Sequence, residues 1–458
     1  MKTLKKFLRG RVSRRTVLFF HKLEAIAANI RYGFPSRGML VIGVTGTKGK
    51  TSTSYFISSI LEEAGFTVGM ATTVSFKIGE KHWTNDYNKS NLHPMQLQKL
   101  LREMRDARCN ALVIEVTSHG IDQHRLWGIP FQYVGLTNIT HDHLDYHKTW
   151  ANYQATKLRL FLPKRLKGIA VNADDPSGEL FLSKSPAPRK WSYSTQVAEP
   201  LPGSTDSIFA HKISSHSGGT SFTLQFGEES IRVNLDMPGR FNIENALCAS
   251  ALCLNLNLKL GSIKAGLENM HRVPGRLEKI ETRKGFSVMV DYAHTPDSLE
   301  KLYSTLRPDV RGRMIAVLGS CGDRDKTKRP IMGALAARFN DFVFVTDEEP
   351  YTEDPLAIME EVARGVPRGR PLFKAAATER PIFKKKEGDS GEGDWWWKVA
   401  DRREAISRAI DMGKLDDLIL VTGMGAQNFK MVGTKQVPWN DRAVIEELLQ
   451  EKNLLPHE

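Results

Sequence analysis

Short runs of apolar residues recur along the chain, and between them apolar residues return every three or four positions. The runs have the character of buried strands, and the segments between them have the period of amphipathic helices. Continuous apolar strands that alternate with helices predict mostly parallel sheets with helices on their faces. The predicted strands lie at 39–42, 112–116, 133–137, 168–171, 288–290, 314–318, 342–345 and 418–421.

Three stretches depart from this alternation. Residues 204–235 hold short segments of alternating polarity and a Gly-Gly pair, which predict an antiparallel ribbon. The Val-Pro-Gly turn at 273–275 precedes a new set of strands and predicts a domain boundary. Three tryptophans, Trp395 to Trp397, follow a charged, glycine-rich loop over 384–394; we expect them to anchor this loop on the core, with ligand stacking as the alternative. The expected divisions are a basic helical segment over 1–39, a central domain over 40–272 and a C-terminal domain over 273–458.

Composition limits the classes to which the chain can belong. Its 458 residues are 41% hydrophobic, enough for large cores, and its net charge of +13 suits nucleotides, acidic substrates or a membrane surface. No nucleic-acid-binding motif accompanies this charge, so we expect no nucleic-acid partner. The four cysteines show no C-x-x-C spacing and indicate reduced thiols. Because no apolar run reaches about 18–20 residues and no signal-peptide pattern is visible, we expect a cytoplasmic protein.

The charge is concentrated at the start of the chain. Residues 1–39 hold ten Lys and Arg against one acid, Glu24, which gives this segment a net charge of +9. Apolar residues recur there at roughly helical spacing, and a basic amphipathic helix can lie on an anionic membrane. We favour a basic arm packed on the protein or a disordered tail, and peripheral membrane contact through 1–39 remains the alternative.

A glycine-rich run, 43–52, lies between the first predicted strand and a helix-like segment. Its glycines let successive backbone N–H groups face one anion, and the helix N-terminus adds a positive dipole end. Lys50 would reach the β- and γ-phosphates of a nucleotide, and the Thr51 hydroxyl would hold Mg²⁺. The strict phosphate-loop pattern has Gly where Val44 stands, so a plain glycine turn is the alternative. We therefore expect a central phosphate-loop ATPase-type domain with a mostly parallel sheet and an antiparallel ribbon, followed by a Rossmann-like α/β domain.

Two further groups of polar residues end predicted strands. Glu115 ends a buried strand, where a carboxylate faces the ligand crevice and can coordinate Mg²⁺; a helix-capping acid is the alternative. Residues 137–147 hold three histidines and two aspartates after the next strand. Zinc is the alternative for this second group, although it has neither a thiolate nor the H-E-x-x-H spacing.

Two cations complete the candidate chemistry. Lys157 lies in a helical stretch soon after the histidine-rich segment, and by itself it would be an ordinary surface lysine. Arg324 follows strand 314–318 and places a guanidinium where a phosphate or carboxylate could dock.

Together these residues resemble the Mur ligase family, the ATP-dependent amide-bond ligases of peptidoglycan precursor assembly. The resemblance runs from about residue 39 to about 450. It is strongest to the members that add the third residue to UDP-N-acetylmuramoyl-dipeptide. The resembling segments are 46–52, 115–119, 122–125, 137–147, 155–161, 172–176, 239–245, 273–276, 291–296, 322–325 and 352–355.

The resemblance implies a mechanism. ATP would phosphorylate the substrate carboxylate to an acyl phosphate, which an amine then attacks. The charge of the γ-phosphoryl group would be neutralised by Lys50 and two Mg²⁺ ions. By resemblance, Lys157 carries a CO₂-derived carbamate, which turns a cation into an anionic oxygen ligand beside Mg²⁺. The catalytic residues implied are Lys50, Glu115, His143 and Lys157.

The resemblance also implies where each ligand binds. Asn245 would contact adenine, and His294 would stack near the nucleotide. The phosphates would bind at Gly46, Thr47, Lys48, Gly49, Lys50, Thr51 and Ser52. The metal ligands would be Thr51, Glu115, His143 and the carbamate of Lys157. A muramoyl-peptide would bind at Ser118, Gln123 and Arg125, and the remaining substrate contacts would be Arg324, Glu348, Glu349 and Tyr351.

Several segments depart from the family pattern. The uridine-nucleotide domain, about a hundred residues in the family, has no room to fold within 1–39. Residues 88–94 lack the usual Thr-Thr-Pro form, and 423–427 replace Gly-Lys-Gly-His-Glu. Glu348-Glu349-Pro350-Tyr351 stands where the diaminopimelate type has Asp-Asn-Pro-Arg. Without that Arg, and with two acids, the pocket is expected to suit a cationic side chain such as lysine or ornithine.

We therefore expect a monomeric ATP-dependent amide ligase that adds an amino acid to a muramoyl-peptide. A related ligase on another carboxylate, such as a lipid-linked muramoyl-peptide or a folate polyglutamate tail, is one alternative. A non-catalytic nucleotide-binding protein is the other. The residues that argue against it are the intact Lys50, Thr51, Glu115, His143 and Lys157.

Overall fold

A computed structural model describes residues 13–87, 91–140, 144–216, 219–367 and 395–456. His143, the loop over 384–394 and the start of the 88–94 segment lie outside these residues, so the predictions made for them are not tested. The chain divides into two compact units. The first comprises Met1–Ser214, Thr220–Asp236 and Arg240–His271, and the second comprises Ser215–Gly219, Met237–Gly239 and Arg272–Glu458.

One large sheet organises the first unit, with its strands in the order β11-β10-β9-β8-β7-β6-β1-β5-β2-β3-β4. The pairs from β2 through β5, β1, β6, β7 and β8 to β9 are parallel, as the continuous apolar runs predict. The strands are β1 Leu40–Thr45, β2 Val68–Ala71, β3 Ser75–Ile78, β4 Lys81–Thr84, β5 Ala111–Val116, β6 Tyr133–Leu136, β7 Gly168–Asn172, β8 Arg189–Ser194, β9 Asp206–His216, β10 Gly219–Phe226 and β11 Glu229–Leu235.

The ribbon predicted over 204–235 is an extension of this sheet rather than a separate layer. Strands β10 and β11 pair antiparallel from Thr220 opposite Leu235 to Phe226 opposite Glu229. Strand β9 pairs parallel with β8, which joins the ribbon to the main sheet. The expected mixture of a mostly parallel sheet and an antiparallel ribbon is thus confirmed.

Helices cover both faces of the sheet. Helix α2 (Lys50–Glu63) packs against α8 (Arg240–Asn255) and α9 (Leu260–Glu268). Three residues of α3 (Pro94–Asp106), namely Leu97, Leu101 and Met104, join a core with Phe161 and Phe181. The helices of the first unit are α1 Arg14–Tyr32, α2 Lys50–Glu63, α3 Pro94–Asp106, α4 Ser118–Asp122, α5 Leu144–His147, α6 Trp150–Leu158, α7 Gly178–Lys184, α8 Arg240–Asn255 and α9 Leu260–Glu268. A 3₁₀ turn, Arg159–Phe161, continues α6.

Helix α1 belongs to the segment with the concentrated positive charge. Ser13 caps its first turn by accepting a hydrogen bond from the backbone N–H of Thr16, and Gly33 ends it in the left-handed conformation that glycine tolerates. The helix packs against α3, and Ala25, Ala28 and Asn29 are buried. Among the described residues, no helix combines the length and the hydropathy needed to cross a bilayer.

A second, smaller sheet organises the second unit, with strand order β12-β13-β17-β14-β15-β16. Only the β12–β13 pair is antiparallel, and the rest have the parallel pairing of a Rossmann-like sheet. The strands are β12 Glu278–Glu281, β13 Ser287–Asp291, β14 Met314–Leu318, β15 Phe342–Val345, β16 Trp396–Lys398 and β17 Leu418–Thr422, with a separate hairpin of β18 Phe429–Val432 and β19 Lys435–Pro438. The helices are α10 Pro296–Leu306, α11 Lys328–Phe339, α12 Pro355–Ala363, α13 Arg402–Met412 and α14 Asp441–Glu451.

The three tryptophans have a packing role in this sheet. Trp395 and Trp396 are buried, and the Trp397 ring stacks on Phe344 with centroids 4.9 Å apart. Residues 396–398 form the edge strand β16 beside β15. The tryptophans thus pack on the core of the second unit.

Candidate active site

The loop between β1 and α2 is closely packed around its glycines. Gly46 has φ of 151°, and a Cβ there would lie 1.8 Å from Thr137 Oγ1. Gly49 is the N-cap of α2 with φ of 80°, and a Cβ there would lie 2.0 Å from Asn245 Oδ1. Both positions therefore require glycine. Glycines at these places let the backbone N–H groups before the helix turn towards a common anion. Asn245, predicted to contact adenine, lies directly against this loop.

Residues that follow β6 fix the shape of the loop. The backbone carbonyl of Asn138 accepts a hydrogen bond from Thr47 N at 2.8 Å, and its side-chain Oδ1 accepts one from Lys48 N at 2.9 Å. The Thr137 hydroxyl donates to Lys48 O at 2.5 Å. Thr137 and Asn138, the first two residues of the 137–147 segment, thus hold the loop in place. The sequence placed them at a strand end but did not predict these hydrogen bonds.

Lys50, Thr51 and Glu115 lie together at the start of α2. Thr51 Oγ1 donates to Glu115 Oε2 at 2.8 Å, and Lys50 Nζ lies 3.9 Å from Glu115 Oε1. Lys50 also donates to Thr47 O at 2.8 Å. Glu115 is only 2% exposed, so its charge acts in a medium of lower dielectric constant than water. A buried carboxylate, a hydroxyl and an ammonium group at the end of a phosphate loop fit a Mg²⁺–nucleotide.

Thr73, which the sequence did not single out, completes the surroundings of this carboxylate. Its backbone N–H donates to Glu115 Oε2 at 3.0 Å, and its hydroxyl donates to Oε1 at 2.9 Å. The helix-capping alternative for Glu115 does not hold, because Thr117 caps α4 by accepting from the Gly120 N–H. Thr73 follows β2, which lies beside the strand of Glu115 because of the strand order in the sheet. No motif in the sequence around Thr73 predicts this contact.

Lys157 is buried beside the loop and is not a surface lysine. Its side chain is 2% exposed, and Nζ donates to Gly46 O at 2.7 Å. Nζ also lies 4.7 Å from the centre of the Tyr153 ring, whose hydroxyl is 3.0 Å from Thr47 Oγ1. The sequence missed Tyr153, although its position one helical turn before Lys157 on α6 could have indicated a shared face.

The residues predicted to hold the muramoyl-peptide form a second cluster in the same unit. Arg125 Nη2 and Nε donate to Gln123 Oε1 at 2.6 and 3.0 Å, and Nη1 donates to Asn91 O at 2.7 Å. Burial lowers the pKa of Arg125, although the guanidinium stays charged at neutral pH. Ser118 Oγ lies 2.9 Å from Nε2 of His147. The structure therefore brings Gln123 and Arg125 into direct contact and places Ser118 on the neighbouring α4.

Asp122 links this cluster to the N-terminal helix. It accepts hydrogen bonds from Tyr146 at 2.7 Å and from Arg14 at 2.8 Å, and Tyr146 also accepts one from Gln123 at 3.3 Å. Burial alone would raise the pKa of Asp122, but the hydrogen bonds from Tyr146 and Arg14 outweigh it and hold this pKa below its usual value. Asp122 therefore stays ionised and anchors α1 to the cluster of Gln123 and Arg125.

The predicted amino-acid residues lie in the second unit. The Arg324 guanidinium lies 5.0 Å from the centre of the Tyr351 ring. Glu349 accepts hydrogen bonds from Met431 N at 3.2 Å and Gln427 Nε2 at 3.4 Å. Glu349 is 4% exposed, and burial raises its pKa. The structure thus gathers the carboxylate, the arginine and the tyrosine at one edge of the smaller sheet.

Glu348 is the more deeply buried acid of the pair. Its Oε1 accepts a hydrogen bond from Cys321 Sγ at 3.1 Å, while Oε2 is buried with no hydrogen-bond partner among the described residues. Burial raises the pKa of Glu348, and the neighbouring Arg402 only partly offsets this rise. A Cβ at Gly423 would lie 2.2 Å from Oε2, so this glycine makes room for the carboxylate. An unsatisfied carboxylate oxygen of this kind favours a cationic partner.

His294 also lies in the second unit. Its Nδ1 is 2.8 Å from Tyr292 O, and its carbonyl accepts a hydrogen bond from Lys328 Nζ at 2.9 Å. Thr295 and Ser298 then form a capping box that begins α10. His294 is therefore held by its own loop, and its predicted contact with a nucleotide stays a prediction.

Comparison with known proteins gives two family matches. The profile of the Mur ligase middle domain matches residues 44–253, and that of the Mur ligase glutamate ligase domain matches residues 275–425. A UDP-N-acetylmuramoyl-L-alanyl-D-glutamate–2,6-diaminopimelate ligase of Clostridium botulinum is 36% identical over 94% of this chain and 82% of its own length. A UDP-N-acetylmuramyl-tripeptide synthetase of Roseiflexus is 37% identical over 92% of this chain and 80% of its own length.

Solved structures agree with these matches. A UDP-N-acetylmuramoyl-L-alanyl-D-glutamate–2,6-diaminopimelate ligase superposes with a TM-score of 0.63 at 25% identity, over 94% of this chain and 82% of that chain. The folylpolyglutamate synthase of Mycobacterium tuberculosis in complex with ADP superposes with a TM-score of 0.67 over 92% and 95% of the two chains, but at 18% identity it shows the fold alone. The chain belongs to the Mur ligase family, whose members are ATP-dependent ligases that form peptide bonds with ATP and Mg²⁺.

Proposed function

We propose that the chain joins an amino acid to the free carboxylate of a muramoyl-peptide in peptidoglycan precursor synthesis. The carboxylate takes the γ-phosphoryl group of ATP and becomes an acyl phosphate, with release of ADP. The amine of the incoming amino acid then attacks the acyl carbon, and the amide bond forms as inorganic phosphate leaves. The observation that carries this proposal is the contact of Thr51 with the buried Glu115 at the end of the phosphate loop, in a chain 36% identical to a ligase of this class.

The phosphate loop supplies the positive charge for phosphoryl transfer. Backbone N–H groups at the start of α2 and the Lys50 ammonium would bind the phosphates of a nucleotide. Negative charge develops on the transferred group, and groups already in place stabilise it without reorganisation. The hydrogen bonds that Thr47 N and Lys48 N donate to Asn138 hold the loop in this shape before the nucleotide arrives.

Mg²⁺ fits the side chains at this place. Thr51 and Glu115 present a hydroxyl and a carboxylate, the oxygen ligands that Mg²⁺ prefers. The bound ion supplies Lewis-acid polarisation of the phosphoryl oxygens. His143 is the further metal ligand that the family pattern implies.

Lys157 is proposed to carry a carbamate. Its amine is buried at the first glycine of the loop, where a free ammonium loses most of its hydration. Addition of CO₂ to the neutral amine, with loss of a proton, gives an anion that would serve as an oxygen ligand. The family pattern around 155–161 supports this modification.

The amino-acid site is proposed to accept a cationic side chain. Glu348 and Glu349 are both buried and lie one after the other, and each has a raised pKa because burial disfavours its charge. An ammonium group would relieve that cost, whereas a second carboxylate would add to it. Tyr351 stands where the diaminopimelate type has its carboxylate-binding Arg.

The experiment that tests the function uses the purified full chain with ATP, Mg²⁺ and UDP-N-acetylmuramoyl-L-alanyl-D-glutamate. Mass spectrometry of the acceptor after incubation with each amino acid should reveal one mass increase equal to the amino acid minus water, with one ADP per product. Lys50→Ala is the inactive control. ATP hydrolysis that ignores the acceptor, or no ligated product with any amino acid, would overturn the proposal. The likeness to folylpolyglutamate synthase is one of fold, so a folate acceptor serves as the negative comparison.

A further inference from the structure

Helix α1 exposes a continuous apolar stripe. Phe19, Phe20, Leu23 and Ile30 are 58%, 61%, 43% and 66% exposed, and Ala27 between them is exposed as well. At the helical repeat of 3.6 residues per turn, these five positions fall within an arc of about 100°. Four large apolar side chains on one arc form a contiguous apolar surface. Exposed apolar patches of this kind mark sites that bind a protein or a membrane.

The opposite side of α1 is firmly attached to the protein. Ala25 and Ala28 are buried, and the side chain of Asn29 donates to Trp127 O at 2.8 Å. Glu24 Oε1 lies 3.1 Å from Nδ1 of His93, the residue that precedes α3. The helix therefore already has its packing face, and the apolar stripe is a second face that this contact leaves exposed.

Basic residues border the stripe on both edges. Arg15 and Lys22 fall on one edge and Arg31 on the other, and all three are exposed. Residues 13–39 hold five Lys and Arg against the single acid Glu24. Beyond the helix, Arg37 lines a cavity of about 520 Å³ together with Arg159 and Arg165. Both edges of the stripe are thus positively charged.

We propose that this face of α1 docks on an anionic lipid bilayer, with the four apolar side chains inserted at the headgroup boundary. Phe and Leu on one arc with Lys and Arg at its edges is the arrangement of interfacial helices. The edge cations would meet anionic headgroups, which attract basic segments near the surface. A second copy of the chain would instead bring Arg15, Lys22 and Arg31 against their own like charges, so self-association does not fit this face.

The side of α1 that faces away from the stripe contacts the cluster around Asp122, Gln123 and Arg125. Arg14, at the start of the same helix, bonds Asp122 at 2.8 Å and lies 5.3 Å from the centre of the Tyr146 ring. Tyr146 contacts Gln123 in turn. The proposal goes beyond the ligase function and does not depend on it, so its test has no catalytic readout.

The test is co-sedimentation of the full chain with vesicles. We expect binding to vesicles with roughly one third phosphatidylglycerol to be at least about tenfold tighter than to pure phosphatidylcholine, and to weaken as salt is added. The double variant Phe19→Ser/Phe20→Ser should lose at least about tenfold in affinity, because its inserted area falls. Lys22→Glu/Arg31→Glu should lose the preference for the anionic lipid. The matched control is Leu356→Ser/Leu415→Ser, which removes two side chains that are 55% and 70% exposed elsewhere and should bind as the unaltered chain does.

Three results would overturn the proposal. The first is equal binding to both vesicle types or none to either. The second is unchanged binding of the Phe19→Ser/Phe20→Ser variant. The third is light scattering that shows a dimer of the unaltered chain which this variant dissociates, because a second copy would then occupy the face. Thermal melting and circular dichroism of each variant report whether it is folded, and Ile30→Ser provides a separate single change on the same stripe.

Discussion

The hydroxyl of Thr51 donates a 2.8 Å hydrogen bond to the buried carboxylate of Glu115. The contact follows from the sheet, because β1 and β5 are parallel neighbours with Val44 opposite Glu115. The end of one strand therefore supplies the carboxylate, and the helix that follows the other supplies the hydroxyl. Two segments 64 residues apart thus supply the hydroxyl and the carboxylate that we propose as ligands of Mg²⁺.

Lys50→Ala should lower turnover by about a thousandfold, because the γ-phosphoryl charge would lose the lysine of the loop. Coupled measurement of ADP release in the presence of acceptor and amino acid gives the rate. Lys99→Ala is the matched control, since that side chain is 67% exposed on α3 and pairs only with Glu103 among the contacts described. A Lys50→Ala enzyme within a few-fold of the unaltered rate would contradict the assignment.

Glu115→Gln should weaken the apparent affinity for Mg²⁺ by about tenfold or more while the protein stays folded. The substitution keeps the shape of the side chain but removes its charge, and its amide N–H₂ would face the donors of Thr51 and Thr73. Turnover measured against Mg²⁺ concentration checks this. Glu103→Gln, on a side chain that is 50% exposed, should leave the Mg²⁺ dependence as it was, and an unshifted curve for Glu115→Gln would refute the metal role.

The sequence predicted most of the buried central strands, because buried parallel strands consist of continuous apolar runs. The segments 314–318 and 342–345 coincide with β14 and β15, and 112–116 lies within β5. The same reasoning missed β16, since three adjacent tryptophans after a charged loop give neither an alternating nor an extended apolar pattern. A short edge strand of this kind is fixed by the Phe342 and Phe344 rings that it packs on, not by its own pattern.

The supports of the site were harder to predict than its reacting groups. Lys50 and Thr51 belong to a contiguous motif, and the motif alone predicts a loop that leads into a helix with both side chains near its N-terminus. Thr73 reaches Glu115 from 42 residues away and Tyr153 reaches Thr47 from 106 residues away, through a strand order that the sequence does not specify. The link from Arg14 to Asp122 spans 108 residues and likewise required the structure.

Lys157→Ala should lose turnover by about a hundredfold or more, and short carboxylic acids should restore part of it by replacing the missing oxygen ligand. The unaltered protein equilibrated with ¹³C-labelled CO₂ should show a carbamate signal in its ¹³C spectrum, and Lys157→Ala should lack that signal. Lys167→Ala, an exposed lysine in the same unit, is the control and should retain it. A spectrum without a carbamate in the unaltered protein would exclude the modification.

Acid should destabilise the second unit partly through Glu353. Hydrogen bonds from Arg329 and Lys326 lower the pKa of Glu353 from 4.5 to about 2 in the folded protein. Its contribution to the free energy of unfolding is therefore complete above pH 4.5 and is lost as the pH falls from 4.5 towards 2. Allowing for solvent screening of the exposed Lys326, the loss is about 1–2 kcal/mol. Thermal melting of Glu353→Gln should show a shallower fall over this range than the unaltered chain, and parallel curves would contradict it.

Selection of the incoming amino acid should favour an ammonium side chain over a carboxylate. Glu348 and Glu349 each have a raised pKa, because burial disfavours their charges, and an ammonium group would stabilise the ionised pair. The side-chain carboxylate of meso-diaminopimelate would meet these acids with Tyr351 in place of an arginine. We therefore expect kcat/KM for L-lysine or L-ornithine to exceed that for meso-diaminopimelate by at least about tenfold.

Two variants separate the contributions to this preference. Glu349→Gln should reduce the advantage of lysine, since one of the two buried acidic charges is removed. Tyr351→Arg should raise activity with diaminopimelate by offering a guanidinium to its carboxylate. Glu360→Gln, which breaks a surface pair with Lys398 on a side chain that is 50% exposed, is the matched control and should leave the ratio unchanged. The Clostridium relative carries diaminopimelate in its name, so a preference for that substrate here would place specificity on residues other than this acidic pair while leaving the phosphate-loop chemistry intact.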